Sequence, residues 1–257
     1  MSSEGAEIET TRDDFLGGGL TLLQPAKGHR SGIDAVLLAA ACPAVPGDAV
    51  GDLGAGAGVA GLCVLRRVAR STAVLIEIDS RLCDLAAANL AANSMAGRGR
   101  VACLDIGARG AARAAGFERP GLDHLIANPP FETHGRARLS PYAARARAHA
   151  AAPGMLDAWV RFAAATAGTG ASLTMIHRAD RLGEVLSAFG RRFGGVRVKP
   201  VHPRPGEAAS RILVQGFRGS RAPLSILPPL VLHGASGHGF AGEAEAVLRG
   251  GGPLAMA

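Results

Sequence analysis

Four consecutive residues, Asn128-Pro129-Pro130-Phe131, bring together groups suited to gripping a planar amine. They follow Asp123-His124-Leu125-Ile126-Ala127, an apolar run that reads as a short buried strand. Two prolines in a row cannot extend a strand, because neither donates an N–H and both fix φ. The chain must turn there, at a strand's C-terminal end, where open α/β sheets bind ligands. The turn offers an amide, a backbone carbonyl and an aromatic face, which fit an amine such as the N6 of adenine. Asn128, Pro129 and Phe131 are the candidate catalytic residues, with Pro130 beside them as a substrate contact. A chance Asn-Pro-Pro turn is the competing account.

A second constellation has the residue types of a nucleotide site. Asp52-Leu53-Gly54-Ala55-Gly56-Ala57-Gly58 joins a predicted strand to a helix, and its glycines permit a tight turn with close backbone approach. The dinucleotide pattern Gly-x-Gly-x-x-Gly fails by one residue, because position 59 is Val59. The next strand ends in Glu77-Ile78-Asp79. A carboxylate at that place can accept ribose hydroxyls. Glu77 is assigned to the ribose, and Asp79, just before Ser80, to capping the following helix. Asp105 ends the third strand, placed to meet an adenine amino group, although Asp is also common in turns.

Positioning these residues requires a sheet. After Pro46-Gly47 strands and helices alternate in the βαβ manner. Strands are expected at Ala49–Leu53, Ala73–Ile78, Arg100–Leu104, Asp123–Ala127, Ala171–His177, Gly195–Val201 and Arg211–Gly216. Helices are expected near Gly32 to Cys42, then at Val59–Ala69, Ser80–Asn93, Ile106–Ala115, Pro153–Ala167 and Ala179–Gly190. The expected fold is α/β: a doubly wound, seven-stranded, mostly parallel sheet with an antiparallel last strand. Three regions follow: an acidic arm over residues 1–27, the sheet domain over 28–218, and an aperiodic Pro/Gly-rich extension over 219–257.

The 257 residues suit one such domain, and an apolar content of 48% is ample for its core. No apolar stretch approaches the roughly 20 residues of a membrane span, so a cytoplasmic protein without membrane contact is expected. Cys42, Cys63, Cys83 and Cys103 lack Cys-x-x-Cys spacing and read as buried free thiols, not a metal site. The net charge of +7 favours a polyanionic partner.

In order and spacing, the glycine turn, Glu77, Asp105 and Asn128-Pro129-Pro130-Phe131 resemble class I S-adenosylmethionine-dependent methyltransferases. Gly28-His29-Arg30-Ser31-Gly32-Ile33-Asp34, with the apolar run after it, resembles the opening segment of the bacterial tRNA adenine-N6 methyltransferase family. That family modifies the adenine beside the anticodon of a valine tRNA. The resemblance runs from about Phe15 to Arg218 and implies a Rossmann-like fold with S-adenosylmethionine as cofactor. It puts Gly54 and Gly56 along the donor's methionine part, with Asp52 at the head of their turn. It gives Glu77 the ribose, Asp105 the adenine, and Arg30 and Asp34 the methionine end. Asn128 then touches donor as well as acceptor. The extension after Gly219 departs from the tRNA enzymes.

The implied activity is methylation of the exocyclic N6 of adenine in RNA, with tRNA as the preferred partner. Arg136 and Arg138, with Arg145, Arg147 and His149, could hold flanking phosphates. Arg204, Arg211, Arg218 and Arg221 could form a second patch, and solvated surfaces explain either group equally well. One Trp and one Tyr argue against a long single-strand stacking platform. Guanine-N2 methylation of rRNA, glutamine-N5 methylation of protein, and donor-dependent RNA binding without turnover are the alternatives.

Overall fold

In the computed structural model, residues 9–27, 30–117, 121–130 and 154–257 are described. Phe131, Arg136, Arg138, Arg145, Arg147 and His149 lie outside them. The acidic arm contains a hairpin, with β1 (Thr10–Phe15) antiparallel to β2 (Leu20–Pro25). Alternation explains it: Leu20 and Leu22 turn into the core, while Arg12 and Asp14 face out. The Asn89 amide then acts as a substitute strand, accepting from Leu23 N–H at 2.8 Å and donating to Leu23 O at 2.9 Å.

The main sheet places all seven expected strands. These are β3 (Ala49–Leu53), β4 (Thr72–Glu77), β5 (Gly99–Cys103), β6 (Leu122–Ala127), β7 (Ala167–Arg178), β8 (Phe193–His202) and β9 (Arg211–Arg218). Crossover segments force β3 to β7 to pair in parallel, in the order β5-β4-β3-β6-β7. The short link after His202 makes β9 antiparallel to β8, and β9 inserts antiparallel beside β7. The expected doubly wound, mostly parallel sheet with an antiparallel last strand is what the chain forms.

Helices cover both faces. On one lie α1 (Ile33–Ala41), α2 (Val59–Arg67) and α3 (Ser80–Ala92); on the other lie α4 (Ala111–Ala114), α5 (Met155–Thr166) and α6 (Leu182–Phe189). The helix expected from Ile106 shrinks to one turn, because Asp105 and Gly107 form a turn and Gly110 adopts φ +79°.

The extension, aperiodic in sequence, adds short elements to the sheet domain. Two-residue strands β10 (Ser225–Ile226) and β11 (Leu230–Val231) run parallel to β8, and α7 (Gly242–Leu248) follows. Leu230, Leu232, Val247, Leu254 and Met256 are buried, and Leu254 N–H donates to Ala40 O at 2.9 Å. Elements this short leave no periodicity, since their partners are distant in sequence. Cys42, Cys63 and Cys83 are buried as expected, and burial pushes the Cys42 thiol up to about 11. Cys103 departs from expectation: it is exposed at the end of the edge strand β5.

Candidate functional site

Register brings the site residues to one sheet edge. Leu53 pairs with Ile76 and Ala127, and Glu77 pairs with Cys103, so the four strands end together. Asp105, Glu77, Gly54 and Asn128 follow these ends in a row. With strands about 4.8 Å apart, the row spans about 14 Å.

Three glycines make the turn after β3, each with positive φ: Gly54 at +65°, Gly56 at +58° and Gly58 at +88°. Their surroundings differ. A Cβ on Gly58 would meet Leu62 and Leu75 at 2.9 Å, and one on Gly54 would meet Trp159 Cη2 at 2.3 Å. A Cβ on Gly56 would meet nothing within 4 Å, so this glycine borders open space. Gly58 therefore serves helix packing, and Gly56 is the open part of the turn.

Two acids hold the turn from below. Asp52 is 2% exposed and its Oδ2 accepts from Gly61 N–H at 2.8 Å. Burial pushes its carboxyl up to about 7, against the lowering effect of that hydrogen bond. Glu77 Oε2 accepts from Gly56 N–H at 2.8 Å, while Oε1 accepts from Ile78 N–H at 2.8 Å and Asp79 N–H at 3.0 Å. Three of about four lone-pair positions are thus used, and the carboxylate is fixed in orientation. Asp79 caps α3, accepting from Arg81 N–H at 3.0 Å. Burial pushes its carboxyl up, but the hydrogen bonds from Arg81 outweigh this and hold it below the usual range. Asp105 Oδ1 accepts from Gly107 N–H at 2.7 Å, the local turn that its residue type allows.

The opening segment is tied to the hairpin. Arg30 pairs with Asp13 at 2.5 Å, and buried Gln24 Oε1 accepts from Ser31 N–H at 2.8 Å. Asp34, in the first turn of α1, pairs with Arg211 at 2.9 Å. Sequence reading missed Gln24 and Asn89, which brace this region; Asn89 also donates to Ala57 O in the glycine turn at 2.9 Å. An isolated amide carries no local signal.

At the other end of the row, Pro129 is buried and Pro130 exposed. Asn128 Oδ1 is buried with no hydrogen-bond partner among the described residues. One strand over, His177 lies next to the end of β7 in a buried position, where desolvation lowers its imidazole and favours the neutral ring. Phe131, Arg136 and Arg138 fall outside the described residues.

The second arginine patch is largely consumed internally. Arg204 donates to Gly234 O and Gly237 O at 2.7 Å each, Arg211 pairs with Asp34, and Arg218 donates to Ala167 O. Of these four arginines only Arg221 is exposed.

Comparison with known proteins agrees with this geometry. A family model described as the methyltransferase small domain matches residues 31–156. A crystal structure described as a predicted O-methyltransferase from Agrobacterium tumefaciens is 30% identical, with a TM-score of 0.73, covering 86% of this chain and 98% of that one. The chain belongs to the methyltransferase small domain family. The 16S rRNA N2 G1207 methyltransferase of T. thermophilus, solved with AdoMet and guanosine, is 19% identical with a TM-score of 0.54, covering 83% of this chain and 51% of that one. TrmN from Thermus thermophilus is 19% identical with a TM-score of 0.50, covering 72% and 48%. Both share the fold. Among curated proteins, none matches the sequence significantly. No helix among the described residues is long and apolar enough to cross a membrane.

Proposed function

We propose that this methyltransferase transfers a methyl group to the exocyclic N6 of adenine in RNA, with tRNA as the preferred substrate. The methyl donor is S-adenosylmethionine, which supplies an electrophilic methyl group on a sulfonium sulfur. Three features of the edge row fit that donor. Gly56 opens to space, Glu77 is fixed with acceptor capacity left for a ribose hydroxyl, and Asp105 lies on the next strand end. Asp52 supports the turn beneath the methionine end, and Arg30 and Asp34 flank it through the opening segment.

The observation that carries the acceptor assignment is Asn128 Oδ1, buried without a partner among the described residues. Leaving a buried acceptor unsatisfied costs about 1–3 kcal/mol. An amine hydrogen arriving with substrate removes that cost. Asn128 Oδ1 and the Pro129 carbonyl accept the two amino hydrogens, which turns the nitrogen lone pair toward the methyl carbon. The N–C bond forms as the C–S bond breaks, its electrons return to sulfur, and the nitrogen then releases one proton. No strong base is required, because that proton becomes acidic only as the bond forms. Positioning supplies about 7–11 kcal/mol in well-oriented reactions. Phe131 stacks on the base, a contact worth about 1–3 kcal/mol. Pro130, Arg136 and Arg138 contact the substrate around it, and a base within structured RNA leaves its stack to enter. The net charge of +7 supports an RNA partner over a neutral one.

Labelled donor incubated with separate tRNA, rRNA and release-factor fractions tests the assignment. The expected result is label in tRNA, recovered after digestion as N6-methyladenosine. Label only in protein, in N2-methylguanosine or in an O-methylated nucleoside overturns the adenine reading. Asn128→Ala is expected to lose turnover while still binding donor, and unimpaired turnover removes the amide grip.

A further inference from the structure

The chain has a single tryptophan, and it touches the glycine turn. Trp159 lies on α5, the first described helix after the Asn128-Pro129-Pro130 turn. Leu156, Val160 and Ala163 of that helix are buried, so its apolar stripe is anchored on the sheet and fixes where the indole points. The six-membered ring presses its edge on Gly54. A Cβ there would lie 2.3 Å from Cη2, 3.1 Å from Cζ3 and 3.2 Å from Cζ2. Gly54 thus satisfies two demands at once, positive φ and the absence of a side chain where the indole sits. Trp159 is half-buried.

We propose that Trp159 is a positioning residue that braces the donor turn from the acceptor side, so that donor binding is sensed at the indole. This rests on the reading of the glycine turn as the donor site. The contact packs the turn that ends β3 directly against the first described helix after the acceptor turn. Bracing acts on the turn's geometry: with Gly54 pinned, Gly56 presents its N–H to Glu77 and its open side to the donor. Loss of the ring frees Gly54 to relax and spreads the turn over several conformations. Donor affinity then falls more than the rate of transfer from bound donor.

The wild-type protein supplies the first test, because its tryptophan emission arises from one site. Titration with S-adenosylhomocysteine is expected to change the emission saturably, with a midpoint equal to the dissociation constant from equilibrium dialysis. Binding by dialysis with unchanged emission overturns the inference and leaves the donor reading intact. No binding by dialysis removes the donor reading and the inference with it. Two variants complete the test. Trp159→Ala is expected to raise the donor KM by about 10-fold or more with a smaller change in kcat, and Trp159→Phe to recover most of the affinity. Equal losses of kcat and affinity in both variants, with thermal unfolding unchanged, overturn the bracing role. Trp159→Phe keeps an aromatic ring in the same helix, so it serves as the measurement should Trp159→Ala not fold.

Discussion

The two ends of the parallel strands carry similar residue types and treat them oppositely. At the N-terminal end, His124 bridges Ser172 Oγ and Asp48 Oδ2, each at 2.9 Å, and Asp123 Oδ2 accepts from Ala49 N–H at 2.8 Å. Asp48 Oδ2 also accepts from Val45 N–H at 2.8 Å. A Ser-His-Asp set stands there, yet its hydrogen bonds join three elements and its serine is buried. At the C-terminal end, three positive-φ glycines, a fixed carboxylate and an amide oxygen without a partner among the described residues stand in a row. Polar groups that satisfy one another hold a fold together; an acceptor buried without a partner among the described residues is open to a donor from outside. Residue type alone does not distinguish the two ends, and satisfaction does.

That contrast can be broken by substitution. Asn128→Ala is expected to have the largest effect, a loss of turnover of about 100-fold or more, with unfolding stability unchanged or slightly raised. A radiometric methyl-transfer assay beside urea unfolding checks both halves. A large stability loss would mean that Asn128 belongs with the structural end.

Asp52 comes next. Its carboxyl titrates near 7 in the folded chain, against an ordinary value of 3.8. The folded state therefore holds the proton more tightly. The stability it contributes is complete below about pH 4 and is lost as pH rises through 7, a difference on the order of 4 kcal/mol. Asp52→Asn keeps an acceptor for Gly61 N–H and is expected to lack this decline. Urea unfolding of both proteins at pH 5 and pH 8 measures it, and parallel pH profiles contradict the buried-acid account.

The glycines sharpen the comparison within the turn. Gly54→Ala forces a Cβ against Trp159 as well as a strained φ, and is expected to cost about 3 kcal/mol in chemical unfolding. Gly56→Ala meets open space, costs about 1–2 kcal/mol from φ alone, and weakens donor binding, read by dialysis. Equal stability losses would remove the distinction between a packed and an open glycine.

His124→Ala gives the smallest expected effect, about 1–2 kcal/mol of stability with kcat unchanged. A fall in kcat at full stability would assign chemistry to the N-terminal end.

Legibility followed the range of the interactions. Strand runs such as Asp123–Ala127 are local apolar segments, and the fold places β6 at Leu122–Ala127. The helix from Ile106 was over-read, since alanine content signals helix while Asp105, Gly107 and Gly110 favour turns. The arm's hairpin was hidden because Thr10–Phe15 is polar and owes its place to Leu20, Leu22 and Asn89. The arginines misled for a related reason. Arg211 finds Asp34 across 177 positions, so a side chain that looks like surface charge in sequence is an internal tie.

The sequence by itself determined the alternation of strands and helices, the glycine turn, the strand-end carboxylates and the Asn-Pro-Pro turn. All of these rest on short-range physics: pleat, helical period and the conformations that glycine and proline allow. Only the tertiary structure decided which polar groups were satisfied. It used up Asp48, His124 and Ser172 on one another, spent Arg204 and Arg218 on carbonyls, pressed Trp159 on Gly54, and buried Asn128 Oδ1 without a partner among the described residues. Burial and hydrogen-bond partnership are properties of neighbours in space, and those neighbours are assembled from residues far apart along the chain.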